Sequence, residues 1–190
     1  MTYKKITENG LDYEVVIGKG KENDDRWDIN KDTFQYQDVL DDFSNAHEIR
    51  IATYSFTFMY TNKEIPMYDI LSNPLGMLND LRDDQSVWMV ICPEASRSKD
   101  NKNLSYDSNA KELKETLDNM KLPANFHIAF SESNHAKIIS TENIAYVGSA
   151  NFTQGSMKNF EAGVIIRNKG IVKGINSSFQ ELWGSSDKFI

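Results

Sequence analysis

The stretch HAKIISTENIAYVGSAN, residues 135–151, carries the polar groups of an otherwise apolar hairpin pattern. It reads as two short strands, near 135–140 and 143–148, joined by a turn at Thr141-Glu142-Asn143. Side chains two apart on a strand share a face, so His135 and Lys137 project together while Ala136 and Ile138 point the other way, into core. The second strand ends at Gly148, and Ser149 and Asn151 follow, again two apart. A hairpin brings its two ends together and so sets these four polar groups side by side. Burying them unpaired would cost about 1–3 kcal/mol each; the pattern makes sense if something polar sits among them. Lysine offers a fixed positive charge, serine and asparagine offer neutral donors, and histidine is a nucleophile or proton carrier near neutral pH. Donors around one nucleophile, without a cluster of metal ligands, suit a tetrahedral phosphate whose charge grows in the transition state.

Outward from the hairpin, the pattern alternates between strands and helices. LDYEVVI (11–17) reads as a strand and GKGKENDDRWD as a polar loop. Tyr36, Leu40 and Phe43 have helical spacing within 33–46, with Asp32 as N-cap. EIRIATYSFTF (48–58) is rich in β-branched and aromatic residues and reads as a core strand; Tyr54 and Phe56 fall near its end, where pockets form. Asn73-Pro74 reads as a cap followed by proline in the first helical turn, with Leu75, Leu78 and Leu81 on one face. VWMVIC (87–92) reads as a buried strand, and a long polar loop follows over 93–109. A helix at 109–120 carries Leu113, Leu117 and Met120 on one face. Strands are expected near 125–130 and 160–166, and a last helix over 170–183 carries Ile171, Ile175, Phe179 and Leu182. This order predicts an α/β protein, a mixed β-sheet flanked by helices on both faces, in one domain over residues 1–190.

Composition narrows the function. The chain has 190 residues, 39% of them hydrophobic, enough to bury a core without staples. Cys92 is the single cysteine and sits in an apolar run, where a thiol behaves as a small hydrophobe. The opening MTYKKITENG lacks the apolar core of a secretory signal, and no run approaches the length of a membrane span, so a soluble cytoplasmic protein with no membrane partner is expected. The net charge of −7 argues against nonspecific nucleic-acid binding by the whole surface. That acidity is concentrated over 21–48, with nine acids and three bases, whereas 131–190 has five acids and six bases. A local phosphate site in the second half is compatible with the total. The acidic pairs Asp24-Asp25, Asp41-Asp42 and Asp83-Asp84 read as solvated surface rather than metal sites, and Trp27, Trp88 and Trp183 as core or interface residues.

The spacing HAK, four residues and an acid, then GSAN, resembles the H-x-K-x4-D and G-S-x-N signature of the phospholipase D superfamily. Glu161 in NFEAGVII stands where that family carries a glutamate on the next strand, EIRIATYSFT resembles its first core strand, and IVKGINSSFQELWGSS resembles its final helix. The resemblance covers roughly residues 33–184, and the chain departs from the signature in carrying Glu142 where the family has aspartate. It implies a phospholipase D-like fold with His135, Lys137, Ser149, Asn151 and Glu161 in the catalytic set, Glu142 and Gly148 in support, and no metal or cofactor. His135 would attack phosphorus, Lys137 and Asn151 would hold the nonbridging oxygens with Ser149 assisting, and Glu161 would take a hydrogen bond from the other imidazole nitrogen. Glu142 would brace the hairpin.

That mechanism needs a second histidine to protonate the leaving oxygen. Of the two other histidines, neither His47 nor His127 has a lysine two residues on or a G-S-x-N partner, and both read as structural. The resemblance therefore implies a homodimer whose two His135 residues share one site across a two-fold axis. Three functions compete. The first is a metal-independent nuclease, acting on DNA rather than RNA, with a further DNA-recognition domain or subunit compatible with the acidic charge. Such short, single-motif chains resemble the bacterial nuclease and restriction-enzyme branch of the family. The second is a phospholipid headgroup hydrolase or transferase, and the third a catalytically degenerate nucleic-acid-binding module.

Overall fold

A computed structural model describes residues 4–7 (backbone), 13–18, 34–54, 82–93, parts of 110–118, 124–152, 156 and 159–189. Its elements are β1 (Lys4–Thr7), β2 (Tyr13–Gly18), α1 (Gln37–Asp42), β3 (Glu48–Thr53), β4 (Ser86–Ile91), β5 (Phe126–Phe130), β6 (Ile138–Ser140), β7 (Ala145–Gly148), β8 (Glu161–Ile166), α2 (Lys169–Ser185) and β9 (Asp187–Lys188). The strands form one mixed sheet in the order β1-β2-β8-β7-β6-β3-β4-β5-β9. The α/β class with a mixed sheet is therefore the observed fold.

Three strands are parallel and central: β3 with β4, and β4 with β5. Antiparallel strands flank them on both sides, β6-β7-β8-β2-β1 on one and β9 on the other. The strand period of two divides the core. Ile49, Ile51, Val87, Met89, Ile128, Ile139, Tyr146 and Ile165 pack on one face with Tyr36, Val39 and Leu40 of the α1 region. Ala52, Val90 and Ala129 face the other way and pack with Phe179 of α2, with Trp88, Ala136, Ile138, Leu182 and Trp183 beside them. Helices thus cover both faces, and the burial pattern of β3, buried from Ile49 to Thr53, is that of a strand with core on each side.

The boundaries differ from the sequence reading for local reasons. Helix α1 begins at Gln37 rather than near Thr33, because Phe34 and Tyr36 lead into it through a turn closed by the Gln37 N–H on the Phe34 carbonyl, 3.1 Å. Strand β6 begins at Ile138 rather than 135, and β7 at Ala145 rather than 143. The Thr141 hydroxyl accepts from the N–H groups of Asn143 (3.0 Å) and Ile144 (3.2 Å) and converts 141–144 into a closed turn. Strands β1 and β9 were not legible in the sequence; both are edge strands, and β9 has only two residues. The Asp32 cap, residues 55–58, the Asn73-Pro74 helix, the loop beyond Pro93, Leu113, Met120, Trp27 and Asp24-Asp25 lie outside the described residues. Within the partly described helix near 109–120, Leu117 is buried in the core. Among the described residues no helix is long and apolar enough to cross a membrane.

Candidate active site

In open α/β sheets the carboxyl ends of parallel strands are where ligands are held. Here β3 ends at Thr53, and antiparallel β6 enters beside it, so its leading segment, His135 to Lys137, lies at that end. The segment is fixed by Asn134, which is 3% exposed. Its amide donates to the carbonyls of Thr53 (3.1 Å) and Val90 (3.0 Å), and its Oδ1 accepts from the Ala136 N–H (3.0 Å). One side chain thus ties the ends of β3 and β4 to the residues on both sides of His135. Nothing in the sequence marked Asn134 beyond its adjacency to the histidine.

His135 and Lys137 do project together: Lys137 Nζ lies 3.1 Å from His135 Nδ1 and donates to the His135 carbonyl at 2.8 Å. An ammonium has only donors, so Nδ1 is the accepting nitrogen in this arrangement. The Tyr54 ring packs on the imidazole, centroids 4.4 Å apart, and lies 5.0 Å from the lysine nitrogen. Burial lowers the Lys137 ammonium below its ordinary value, and the charge of Glu161 acts in the opposite direction.

The other end of the hairpin arrives beside this pair. Gly148 N–H donates to the Lys137 carbonyl at 3.2 Å, and Gly148 lies opposite Gly163 of β8. A Cβ on Gly148 would meet the Tyr146 hydroxyl at 2.3 Å, and one on Gly163 would meet the Tyr146 ring at 2.3 Å. The two glycines therefore make the recess in which the Tyr146 phenol lies, and this is the physical reason for glycine at the motif position. The Tyr146 hydroxyl accepts from Ala150 N–H at 3.2 Å, and burial raises its pKa to about 12, so the phenol is neutral in this role.

Beyond Gly148, the Ser149 hydroxyl donates to the buried Glu161 carboxylate and accepts from Ala162 N–H at 3.0 Å. Asn151 Oδ1 accepts from the Thr53 hydroxyl at 3.3 Å; Thr53 in turn accepts from Phe152 N–H at 3.0 Å. With Oδ1 engaged on the core side, the donating end of the amide is Nδ2. Tyr36 donates to the Asn151 carbonyl at 3.3 Å and so supports the same residue from beneath. Thr53, Tyr36 and Tyr146 were not assigned to the site from sequence, since their contribution depends on contacts across the sheet.

Two expectations are refined. Glu161 is bonded to Ser149 rather than to the His135 imidazole, whose polar side-chain partner among the described residues is Lys137. Glu142 is at the far end of the hairpin, where its carboxylate accepts from the N–H groups of His47 (2.8 Å) and Glu48 (3.2 Å). It pins the β6–β7 turn to the start of β3, and the longer side chain spans two successive amides. Burial alone would raise its pKa, but the hydrogen bonds from the backbone of His47, Glu142 itself and Glu48 outweigh it, and the carboxyl lies below its ordinary value. The stabilisation is thus present above the ordinary carboxylate range and is lost as pH falls through the lowered value. Glu142→Ala should cost about 1 kcal/mol near neutral pH, below the usual range for hydrogen bonds to charged groups because the group is exposed. Denaturant titration at neutral and acidic pH checks this: the deficit should shrink in acid, while activity per folded molecule stays near that of the native chain.

The remaining histidines are elsewhere. His47 precedes β3 and its Nδ1 lies 3.3 Å from Asp84; His127, near the start of β5, stacks on Trp88 with centroids 4.2 Å apart. Both are at the amino ends of the parallel strands, opposite the His135 end. The acidic pairs are likewise engaged: Asp42 accepts from Thr141 (2.6 Å), Asp41 from Gln37 (2.8 Å) and Asp84 from Arg82 (2.9 Å).

A mixed sheet with H-x-K and G-S-x-N converging at the carboxyl end of its first core strand defines a phospholipase D-like domain. The family model described as "Cardiolipin synthase, PLD-like domain" matches residues 39–183, and the chain belongs to that family, within the phospholipase D superfamily. Comparison with curated proteins finds no match. Among solved structures the chain is similar to Nuc from Salmonella typhimurium, described as a phospholipase D family member: TM-score 0.51, 18% identity, covering 93% of this chain and 98% of that one. It is also similar to NucT from Helicobacter pylori, with TM-score 0.50, 19% identity, 80% of this chain and 89% of that one. Phosphatidylserine synthase from Haemophilus influenzae Rd KW20 gives TM-score 0.58 at 13% identity, over 93% of this chain but 40% of that one. At these identities the likeness is one of fold.

Proposed function

We propose that the chain is a metal-independent phosphodiesterase that cleaves nucleic acid, DNA before RNA, through a covalent phosphohistidine in a site shared by two copies of the chain. The observation that carries this reading is the pairing of His135 with Lys137 beside Ser149–Glu161 and Asn151–Thr53. It supplies a nucleophile, a cation and oriented neutral donors around one point, which is what phosphoryl transfer asks of a protein.

In the first step an imidazole nitrogen of His135 attacks phosphorus, a P–N bond forms and the P–O bond to the leaving oxygen breaks. The leaving oxygen takes a proton from the partner copy's histidine. In the second step water loses a proton to that histidine and attacks phosphorus, and the P–N bond breaks. Lys137 holds Nδ1 in the free site; with a phosphate present, its ammonium turns to a nonbridging oxygen, which frees Nδ1 to carry the proton while Nε2 attacks. Asn151 Nδ2 donates to the other oxygen. Glu161, through Ser149, holds that hydroxyl in place and offsets part of the lysine's charge.

The two-fold arrangement is supported by where the histidines are. All three are described, and neither His47 nor His127 shares an end of the sheet with His135, so in this reading another copy supplies the second proton carrier. Phe160, 66% exposed immediately before Glu161, offers that copy an apolar contact. The nucleic-acid reading is supported by the single H-x-K and G-S-x-N motif, which resembles the nuclease branch of the family.

The test combines turnover with sedimentation. Cleavage of DNA and of bis-(p-nitrophenyl) phosphate should continue in EDTA and fall with dilution as the dimer dissociates. Loss of cleavage in EDTA, restored by magnesium, would overturn the mechanism. Full activity in a demonstrated monomer would overturn the shared site. Turnover of phospholipid vesicles without DNA cleavage would move the substrate to a lipid headgroup.

A further inference from the structure

A second polar cavity opens on the α2 side of the sheet, toward the opposite end of β3 from Thr53. It measures about 450 Å³, and its lining includes Arg50, Glu142, Lys169, Lys173, Asn176 and Gln180. Arg50 is 6% exposed. Its Nη2 pairs with Glu48, but its Nε and Nη1 are buried and have no hydrogen-bond partner among the described residues. A guanidinium keeps its charge at any physiological pH, and leaving its N–H groups buried without acceptors is unfavourable. Buried unsatisfied donors of this kind call for an explanation.

The cavity's other groups point to an acceptor with negative charge. Lys169 and Lys173 are four apart in α2, so their side chains lie on one face of the helix. Both are exposed, and among the described residues neither pairs with a carboxylate. Glu142 is the one carboxylate of the lining, and it is already engaged by the backbone of His47 and Glu48. Asn176 is engaged too, accepting from Ser140 at 2.7 Å and donating to the Thr141 carbonyl at 2.8 Å; it holds α2 over β6 and fixes the lysines' position above Arg50.

We infer that this cavity is an anion site, separate from the His135 site, that takes the phosphate group of a small phosphorylated ligand. A planar guanidinium with two unpartnered nitrogens matches phosphate oxygens in a way a lone ammonium does not, and the two lysines complete the charge. The volume exceeds that of a bare phosphate and falls within the range of small-ligand pockets, leaving room for the group that carries it. The inference rests on Arg50 and α2 and holds whether or not the proposed nuclease reading does.

The test is calorimetric titration of the full chain with inorganic phosphate, with 5′-AMP and with a short single-stranded oligonucleotide. Lys137→Met removes the ammonium of the first site, and in that protein phosphate and 5′-AMP should still bind at one per chain. Adding Lys169→Ala and Lys173→Ala should weaken both at least tenfold. Removing the same charge elsewhere, with Lys111→Ala and Lys114→Ala, should change them little. Arg50→Lys, which keeps the charge and loses the fork, should also weaken binding while the circular dichroism spectrum is retained. Three results would overturn the inference: no binding in the Lys137→Met protein, equal weakening in the control pair, or no weakening in Lys169→Ala/Lys173→Ala. Loss confined to the oligonucleotide would overturn it as well, by making the cavity a contact for the nucleic-acid backbone.

Discussion

The His135→Ala protein should fold as the native chain does and lose phosphodiesterase activity by on the order of ten-thousand-fold or more, as removal of a covalent nucleophile does in other enzymes. The fold should survive because His135 is exposed and the segment around it is held by other groups, Asn134 above all. Two measurements separate loss of chemistry from loss of structure. Thermal melting should show a midpoint close to the native value, and the native chain, quenched during turnover, should carry an acid-labile phosphate that the variant lacks. In the proposed cycle one His135 must be deprotonated while its copy is protonated, so the native rate should be bell-shaped in pH. A variant that keeps even a hundredth of the native rate would sink the nucleophile assignment.

Lys137→Met should separate activity from stability in a different way. Removing a donor aimed at developing charge lowers turnover by about a hundred- to a thousand-fold. Stability should be unchanged or slightly raised, because burial lowers the folded pKa of this lysine. The sign follows from linkage: a base with a depressed folded pKa disfavours folding while it is charged in both states, and the penalty fades as pH rises from the lowered value to the ordinary one. The bonds to His135 and the Tyr54 ring offset part of that penalty. Melting curves at pH 7 and pH 10 check the stability, and steady-state rates check the loss. A large fall in midpoint with little loss of rate would make Lys137 a structural residue.

Much of this was legible along the chain because its signals are local. The spacing of two in His135-x-Lys137 places both side chains on one side of an extended segment, and they meet at 3.1 Å. Uninterrupted β-branched and apolar runs read β4 and β5 correctly to within a residue and place the start of β3 at Glu48, since a strand between two helical layers is apolar on both faces. The β3 run reads on to 58, whereas the strand ends at Thr53. The final helix was legible for a similar reason, with Asn168 capping the N–H groups of Gly170 and Ile171 and Phe179 on the buried face. Edge strands β1 and β9 were not, because they are short and their sequences carry little of the pattern that burial imposes.

What the sequence by itself determined is the chemistry available: an imidazole, an ammonium, a hydroxyl, an amide and a carboxylate, in an order and spacing that place them on one hairpin and its neighbouring strand. What only the tertiary structure decided is which group each of them meets. Glu161 meets Ser149 instead of His135, Asn151 is turned by Thr53 from a strand 98 residues earlier in the chain, and Glu142 lies at the far end of its hairpin on the backbone at the start of β3. Arg50 shows the same division: a charged residue in the middle of a core strand is plain in the sequence, but that two of its nitrogens lack partners beside two lysines of α2 is not. The reason is physical. Periodicity and spacing are properties of adjacent residues, whereas a hydrogen-bond partner is chosen by the register of the sheet and the packing of its layers, which bring together positions that the chain keeps far apart.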